Sequence, residues 1–288
     1  MQNEITSRIA ITLNTELLVA EAARLPEQAD ALDFVLRGRA VALRPSTRAS
    51  FAEAIGYFER ALALDPGSVE AQSLLASTLA GRAMEGMTDT RSSDIARAER
   101  LAQQALASAP RNPLVHQANG QVLRAQNRRR EAIPEFETVI ALNSNALGAV
   151  SFLADCKLHI GPIEEVIPLV DRAIRLSPRD PGIGNMYGRI AIAHLLQSRL
   201  DDAIIWSEKA RQANPARAFP HSALAAAYAL KGETERAASE LAEAQRLDYD
   251  FYRSLAPLRA RYSEVPEMLV LFDATYGAGL RKAGVPEE

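Results

Sequence analysis

The chain of 288 residues lacks most of the features by which catalytic and metal-binding proteins are recognised. It has a single cysteine, Cys156, so no internal disulfide can form, which fits a reducing cytoplasm. No two of its four histidines stand four residues apart, and no carboxylate cluster has metal-ligand spacing. We therefore expect no metal, no cofactor and no catalytic residue.

Excess charge and long apolar runs are also missing. The 33 basic and 36 acidic residues give a net charge of -3, which offers no electrostatic reason to bind nucleic acid or an acidic membrane. No run of about 18 uncharged apolar residues occurs, so we expect no membrane-spanning segment, and the N-terminus shows no secretion signal. The sequence predicts a cytoplasmic location and a protein or peptide partner.

What the sequence does contain is an internal repeat. Similar endings recur at intervals of 44, 34, 34, 37 and 34 residues, at Pro66, Pro110, Ser144, Pro178, Pro215 and Tyr249. A small residue stands twelve positions before each ending, at Ala54, Ala98, Ala132, Val166, Ala203 and Ala237. Another stands five positions before it, at Ala61, Ala105, Val139, Ala173, Ala210 and Ala244.

The spacing of these residues predicts a helix that packs closely on a neighbour. In the first repeat Ala54, Phe58 and Ala61 lie four and three residues apart, on one helix face. The small residues admit a neighbouring helix, the ring fills the gap between them, and Pro66 ends the helix. Each repeat is therefore predicted to be a helix, a turn, a second helix and a stop.

The sequence contains three insertions, and the second and third account for the intervals of 44 and 37 residues. Four extra residues fall in the first turn, at 44–47, and ten fall between the helices of the second repeat, at 81–94. Three more, at 194–198, are predicted to extend a helix of the fifth repeat.

Segments on both sides of the repeats are predicted to be helical. Residues 1–30 form an N-terminal amphipathic helix or linker, which covers the first repeat, joins a preceding domain or pairs two copies as a homodimer; its apolar face carries Ile5, Ile9, Leu13 and Leu17. Residues 31–249 form the array of six repeats, and residues 250–288 form C-terminal capping helices. Ser263 is predicted to start a helix that Gly284 and Pro286 stop, with an apolar face of Val265, Met268, Leu269, Phe272 and Tyr276.

This pattern resembles the tetratricopeptide repeat, in which small, large aromatic and proline positions recur every 34 residues. The family's tryptophan position holds Phe34, Gln72, His116, Val150, Gly184 and His221. The resemblance implies an all-α fold, a right-handed α-solenoid of about six helix-turn-helix repeats with flanking N- and C-terminal helices. It also implies a non-catalytic scaffold that binds a peptide or partner domain along the first helices.

Carrying over the family's inward-facing positions gives thirteen candidate contact residues: Arg39, Ser73, Ser77, Gln117, Gln121, Arg124, Ser151, Asp155, His159, Asn185, Arg189, Phe219 and Ser222. Polar residues three and four apart suit an extended peptide, whose backbone needs hydrogen-bonding partners. Arg124 and Arg189 are predicted to bind a carboxylate. The alternative is a solvated face without a ligand. His116 and His221 are interpreted as packed core residues, and Trp206 as packing.

Three phrases of the sequence carry a second resemblance. EITSRIAITLNTELL, ALDFVLRGRAVALRPST and GLRKAGVPEE look like the C-terminal repeat regions of bacterial signalling proteins. In these, a class III adenylate or guanylate cyclase domain, or a winged-helix domain, precedes the repeats. The resemblance implies a ligand-sensing regulatory region as the alternative to a scaffold. Because the sequence shows no strand pattern for the cyclase aspartates, this chain itself is not expected to be an enzyme.

Overall fold

A computed structural model describes residues 13, 16–23, 29–44 and 46–288 of the chain. Within these residues the secondary structure is helical, and no strand occurs. Residues 16–23 are helical. The helices that follow are α1 (Ala31–Ala42), α2 (Arg48–Leu64), α3 (Val69–Met84), α4 (Arg91–Ser108), α5 (Pro113–Ala125), α6 (Arg129–Leu142), α7 (Leu147–Ile160), α8 (Val166–Leu176), α9 (Ile183–Leu196), α10 (Leu200–Ala213), α11 (Ala218–Lys231), α12 (Thr234–Leu247), α13 (Tyr249–Tyr252), α14 (Ala256–Tyr262), α15 (Pro266–Ala274) and α16 (Tyr276–Ala283). The predicted all-α solenoid is confirmed.

Helices α1 to α12 form six consecutive pairs, each with a first and a second helix. The chain divides into two compact units. Unit 1 comprises Met1–Leu153 and Arg175–Ser177, and unit 2 comprises Ala154–Ile174 and Pro178–Glu288. Inside unit 1 the two helices of each of the first three pairs pack together, and α2 and α4 also pack on the next first helix. Inside unit 2 the fifth and sixth pairs pack in the same way, and α10 packs on α11.

The predicted rows of small residues lie in the core. All twelve positions, from Ala54 to Ala244, are at most 3% exposed. In unit 1 the second helices also place a phenyl ring against a glycine of the first helix: Phe58 lies against Gly38, and Phe136 against Gly120. The predicted close approach of neighbouring helices is therefore confirmed.

Proline is not what ends the second helices. Each second helix ends two residues before the repeat ending named above. This holds also for the endings at Ser144 and Tyr249, where no proline is present. One residue before three of the repeat endings, a side chain accepts a hydrogen bond from the backbone N–H two residues later. The three side chains are Asp65, Asn143 and Asn214, and the distances are 3.0, 3.0 and 3.2 Å. This Asx turn gives the chain a local alternative to the helix.

The insertions lie close to their predicted places in the first two pairs, but not in the fifth. Helix α9 has 14 residues, like α7 and α11, so 194–198 extend no helix. The extra residues lie before α9, in the loop 177–182, where Asp180 accepts a hydrogen bond from Gly182 N at 2.7 Å. This shift puts Tyr187, rather than Gly184, at the position equivalent to His116.

The C-terminal cap is several helices rather than one. Ser263 follows the end of α14 instead of starting a helix, and α15 begins at Pro266. The backbone breaks at Thr275 before α16, and Gly284 ends α16 with φ 110°, a left-handed conformation that suits glycine. The apolar residues predicted to form the cover are buried, except for the half-buried Leu269.

At the other end, Ile5 and Ile9 of the predicted N-terminal face lie outside the described residues, and Leu13 and Leu17 are 59% and 60% exposed. Among the described residues, no helix has the length and apolarity needed to cross a bilayer.

Candidate partner-binding face

The thirteen candidate residues lie on the first helices, and we call the surface that carries them the first-helix face. In unit 1 this face comes from α1, α3, α5 and the start of α7. In unit 2 it comes from the end of α7, α9 and α11. Side-chain caps fix where these helices begin: Ser68 caps α3, and Asn112 caps α5 with Pro113 in the first turn.

Burial divides the candidate residues into two groups. Seven are partly exposed: Arg39, Ser77, Gln117, Asp155, Asn185, Arg189 and Phe219. Six are buried: Ser73, Gln121, Arg124, Ser151, His159 and Ser222. The buried six contribute to packing inside the chain, so contact with a partner is favoured at the other seven.

In unit 1 two arginines of the face make contacts within the chain. Arg39 Nη1 lies 3.2 Å from Glu70 Oε1, which joins α1 to α3. Arg124 donates a hydrogen bond to Gln121, and its guanidinium lies 4.7 Å from the centre of the Phe152 ring on α7. Because Arg124 is only 5% exposed, its guanidinium holds α5 against α7 in this structure. Its predicted role in binding a carboxylate stays a prediction.

In unit 2 Arg189 also bridges first helices. Its Nε lies 3.4 Å from Asp155 Oδ1 on α7, and both side chains are about one-seventh exposed. By the register that Tyr187 sets, the residues equivalent to Gln117 and Gln121 are Gly188 and Ile192. The sequence reading placed the polar stripe three residues away from this register.

Two further candidates of unit 2 are covered by the C-terminal helices. The His159 ring lies 4.9 Å from the Tyr262 ring. Ser222 Oγ donates to the Phe219 carbonyl oxygen at 2.9 Å and lies 2.6 Å from Tyr276 Oη. Since the serine proton is used, Tyr276 is the donor to Ser222. Burial raises the pKa of Tyr276 well above its ordinary value, which keeps this donor protonated.

A contact inside the pairs escaped the sequence reading. A first-helix residue meets a second-helix residue in four pairs: Phe34 with Tyr57, His116 with Glu135, Tyr187 with Trp206, and His221 with Glu240. We call each of these contacts an interhelix pair. Three of the four join residues 19 apart, and Phe34 and Tyr57 are 23 apart because of the four-residue insertion. That constant spacing was the available signal.

Of the histidines of two interhelix pairs, His221 is buried as predicted and His116 is only partly buried. Both rings also lie within hydrogen-bond distance of a glutamate. His116 Nδ1 lies 2.6 Å from Glu135 Oε2, and its Nε2 lies 2.9 Å from the Pro110 carbonyl oxygen. His221 Nδ1 lies 2.7 Å from Glu240 Oε2. Both are contacts between the two helices of a pair.

Unit 2 also contains a pocket of about 570 Å³. It is lined by Asp171, Ile174, Tyr187, Trp206, Lys209, Gln212 and Ala213. Lys209 Nζ lies 4.0 Å from the centre of the Trp206 ring. Trp206 therefore belongs to a wall of the pocket as well as to the packing. Across the described part of the chain, no group of three or more acidic, histidine or cysteine side chains is placed to hold a metal ion.

Comparison with known proteins agrees with this architecture. Residues 118–181 match the family model described as tetratricopeptide repeat. No curated protein sequence is significantly similar to the chain. These comparisons give no evidence for the resemblance to cyclase or winged-helix proteins.

Solved structures share the fold at low sequence identity. A chain of the APC/C hetero-tetramer Cut9–Hcn1 is 17% identical with a TM-score of 0.62, over 84% of this chain and 44% of that one. PilF of Pseudomonas aeruginosa is 19% identical with a TM-score of 0.53, over 81% of this chain and 95% of that one. Human IFIT1, solved as a dimer with m7Gppp-AAAA, is 15% identical with a TM-score of 0.62, over 90% of this chain and 60% of that one. The chain thus spans less than two thirds of the Cut9–Hcn1 and IFIT1 chains, and its fold is an all-α solenoid with a tetratricopeptide repeat match at residues 118–181.

Proposed function

We propose that the chain is a non-catalytic scaffold that binds a peptide or partner domain on the first-helix face of unit 1. Tetratricopeptide repeat proteins generally mediate protein–protein interaction. The observation that carries the proposal is that Arg39, Ser77 and Gln117 are partly exposed on three successive first helices, α1, α3 and α5.

The spacing of these helices suits an extended peptide. Packed helices lie about 8–10 Å apart, and an extended chain advances about 3.3 Å per residue. A peptide crossing the helices therefore meets a new first helix about every third residue. An arginine, a serine and a glutamine offer both donors and acceptors to its backbone.

The test is selection of peptides from a phage-displayed random library on the full chain, followed by titration calorimetry. The triple variant Arg39→Ala, Ser77→Ala, Gln117→Ala is expected to weaken binding about tenfold or more, since each lost hydrogen bond is worth about 0.5–1.5 kcal/mol. Arg100→Ala with Gln104→Ala, on the exposed surface of α4, is the matched control. Equal affinity of the triple variant and the wild type would refute the proposal.

The pocket of unit 2 favours ligand sensing as a second candidate function. Tyr187 and Trp206 provide an aromatic wall, and Asp171 and Lys209 provide one charge of each sign. An aromatic metabolite with a polar group is the chemistry that fits. Because Trp206 is the only tryptophan, its fluorescence reports binding directly. Saturable quenching by a member of a metabolite panel supports sensing, and a panel without such a member argues against it.

The cellular setting stays a proposal from the sequence. A bacterial signalling protein, attachment to a cyclase or winged-helix output domain, a cytoplasmic location and the exclusion of nucleic acid rest on composition and on the resemblance of the phrases. Pairing of two copies through the N-terminal helix has the same standing.

A further inference from the structure

Residues 249–288, which we call the C-terminal segment, are tied together by their own charges. Arg259 lies 2.8 Å from Asp273 and 3.3 Å from Glu287. Arg281 lies 3.0 Å from Asp273 and also pairs with Glu287. Two arginines and two carboxylates from α14, α15, α16 and the chain end thus form one closed network.

The backbone and the aromatic rings close the same segment. Leu255 N donates to the Pro286 carbonyl oxygen at 2.9 Å, which joins the two ends of the segment. The Tyr262 and Phe272 rings stack at 4.7 Å, and Phe272 meets Tyr276 edge-on at 5.6 Å. The segment therefore has an internal core of its own.

The C-terminal segment is thus a compact module, and it lies on the first-helix face of unit 2. Tyr262 covers His159 of α7, and Tyr276 donates to Ser222 of α11. Helix α16 packs mainly on the first helix α11, and far less on α12, the last second helix. The module therefore covers the candidate contact residues instead of extending the stack of pairs.

Glycine allows α16 to come this close. A Cβ built at Gly279 would lie 2.6 Å from the Ala226 carbonyl oxygen of α11. Ala226 itself is fully buried. The site on α11 is thus shaped for a helix that presents a glycine to it and a tyrosine one turn before.

We propose that the first-helix face of unit 2 is a binding site for a short helical module, and that the C-terminal segment is its resident, exchangeable occupant. The proposal rests on the proposed function in placing binding on the first-helix face. It adds that the first-helix face of unit 2 is covered by the chain itself. Helix α16 has eight residues, too few to be stable alone, so it is helical only while docked.

The test uses the full chain with a protease recognition sequence inserted between Tyr249 and Asp250, where Tyr249 is 65% exposed. After cleavage, an excess of fluorescent synthetic peptide of residues 250–288 is added. The labelled peptide is expected to replace the cleaved segment, measured by co-elution in gel filtration. Trp206, in unit 2 but outside the segment, is expected to keep its emission spectrum throughout.

Two variant peptides test whether binding at this site is specific. The Gly279→Leu peptide is expected to compete at least tenfold more weakly, because its side chain meets the α11 backbone. Lys282→Ala, at an exposed position of the same helix, is the matched control and is expected to compete like the wild type.

Two results would overturn the proposal. One is a change in Trp206 emission when the segment leaves, which would make the segment part of the core of unit 2. The other is a cleaved segment that never exchanges. Neither result depends on Arg39, Ser77 or Gln117, so failure here and failure of the proposed function are distinguishable.

Discussion

At the scale of single residues, Gly38 and Gly120 of the first helices each leave a space, which we call a notch, for an aromatic ring. A Cβ built at Gly120 would lie 2.6 Å from Phe136 Cε1, and Phe136 is fully buried. Two atoms cannot approach so closely, so the ring has room only because the glycine has no side chain. Gly56, inside α2, has nothing within 4 Å of the same constructed atom.

The two glycines therefore predict opposite effects of the same substitution. Gly120→Ala is expected to lower the free energy of unfolding by about 1–3 kcal/mol, through overpacking against Phe136. Gly56→Ala is expected to raise it by about 0.5–1 kcal/mol, because alanine favours a helix. Urea unfolding monitored by circular dichroism measures both. Stabilisation by Gly120→Ala would show that the ring moves freely and that the notch is not needed.

The buried tyrosine Tyr276 predicts an alkaline limit to stability. Its pKa in the folded chain lies above the ordinary value of 10, because burial disfavours the phenolate. A group with a raised folded pKa contributes stability that is complete below the unfolded pKa and is lost as the pH rises past it. We expect the urea midpoint to fall above about pH 10. Tyr276→Phe, which has no proton to lose, is expected to fall less; an identical pH dependence would exclude Tyr276 as the cause.

At the scale of elements, a buried ion pair joins the two helices on either side of the long insertion in the second pair. Arg82 Nε and Nη2 donate to the two carboxylate oxygens of Asp94 at 2.9 and 2.7 Å, from the end of α3 to the start of α4. Asp94 is 5% exposed. This bidentate contact fixes the two helix ends that flank the loop 85–90.

Removing one partner is therefore expected to cost more than removing both. Asp94→Ala leaves a mostly buried guanidinium and is expected to lower the free energy of unfolding by about 3 kcal/mol. The double variant with Arg82→Ala is expected to lose less than the sum of the two single variants, because the pair is coupled. Chemical denaturation of the four proteins measures this coupling. Additive losses would mean that the ion pair does not hold the loop.

Loss of an Asx turn at the end of a second helix is expected to destabilise the chain less than loss of the Asp94 carboxylate. Asn143→Ala removes the acceptor of the Asn145 N–H and is expected to cost about 0.5–1.5 kcal/mol. Glu137→Ala, at an exposed position of the same helix α6, is the control and is expected to stay within about 0.5 kcal/mol of the wild type. Equal thermal midpoints for Asn143→Ala and this control would assign the helix end to some other feature.

At the scale of the whole molecule, the N-terminal prediction concerns assembly. Leu13 and Leu17 expose more than half of their surface, as expected of residues that meet a second copy. Light scattering is expected to give a dimer for the wild type and a monomer for Leu13→Asp with Leu17→Asp. Leu32→Asp changes a similarly exposed leucine of α1 and is expected to stay dimeric. A wild type that is monomeric at every concentration contradicts the dimer.

The sequence predicted what periodicity controls. Small residues that recur at fixed distances before each repeat ending predicted the helix pairs and the buried rows of small residues. This prediction works because helix packing depends directly on side-chain size at fixed spacing. The fifth repeat was misaligned because an insertion in a loop and one in a helix give the same interval. The length of α9 and the Tyr187–Trp206 contact separate the two cases.

The candidate face was harder to predict, since burial by a distant part of the chain leaves no periodic trace. His159 and Ser222 stand at suitable positions of their helices, yet residues from 262 to 276 cover them. The backbone break at Thr275, where φ is −123° and ψ is −91°, was likewise not predicted. Sequence reasoning placed the candidate residues on the first helices but did not predict which of them are buried.

The interhelix pairs have a consequence for how such a chain avoids misfolding. Neighbouring repeats are alike, so a first helix risks docking on the wrong second helix during synthesis. Ring against ring in the first and fifth pairs, and imidazole against carboxylate in the third and sixth, act as labels of matching chemistry. The labels differ between the fifth and sixth pairs, which are adjacent. The first and fifth pairs share one label, and the third and sixth share the other. The exchanges that these labels fail to discourage are therefore between pairs that are separated by at least two others in the order of synthesis.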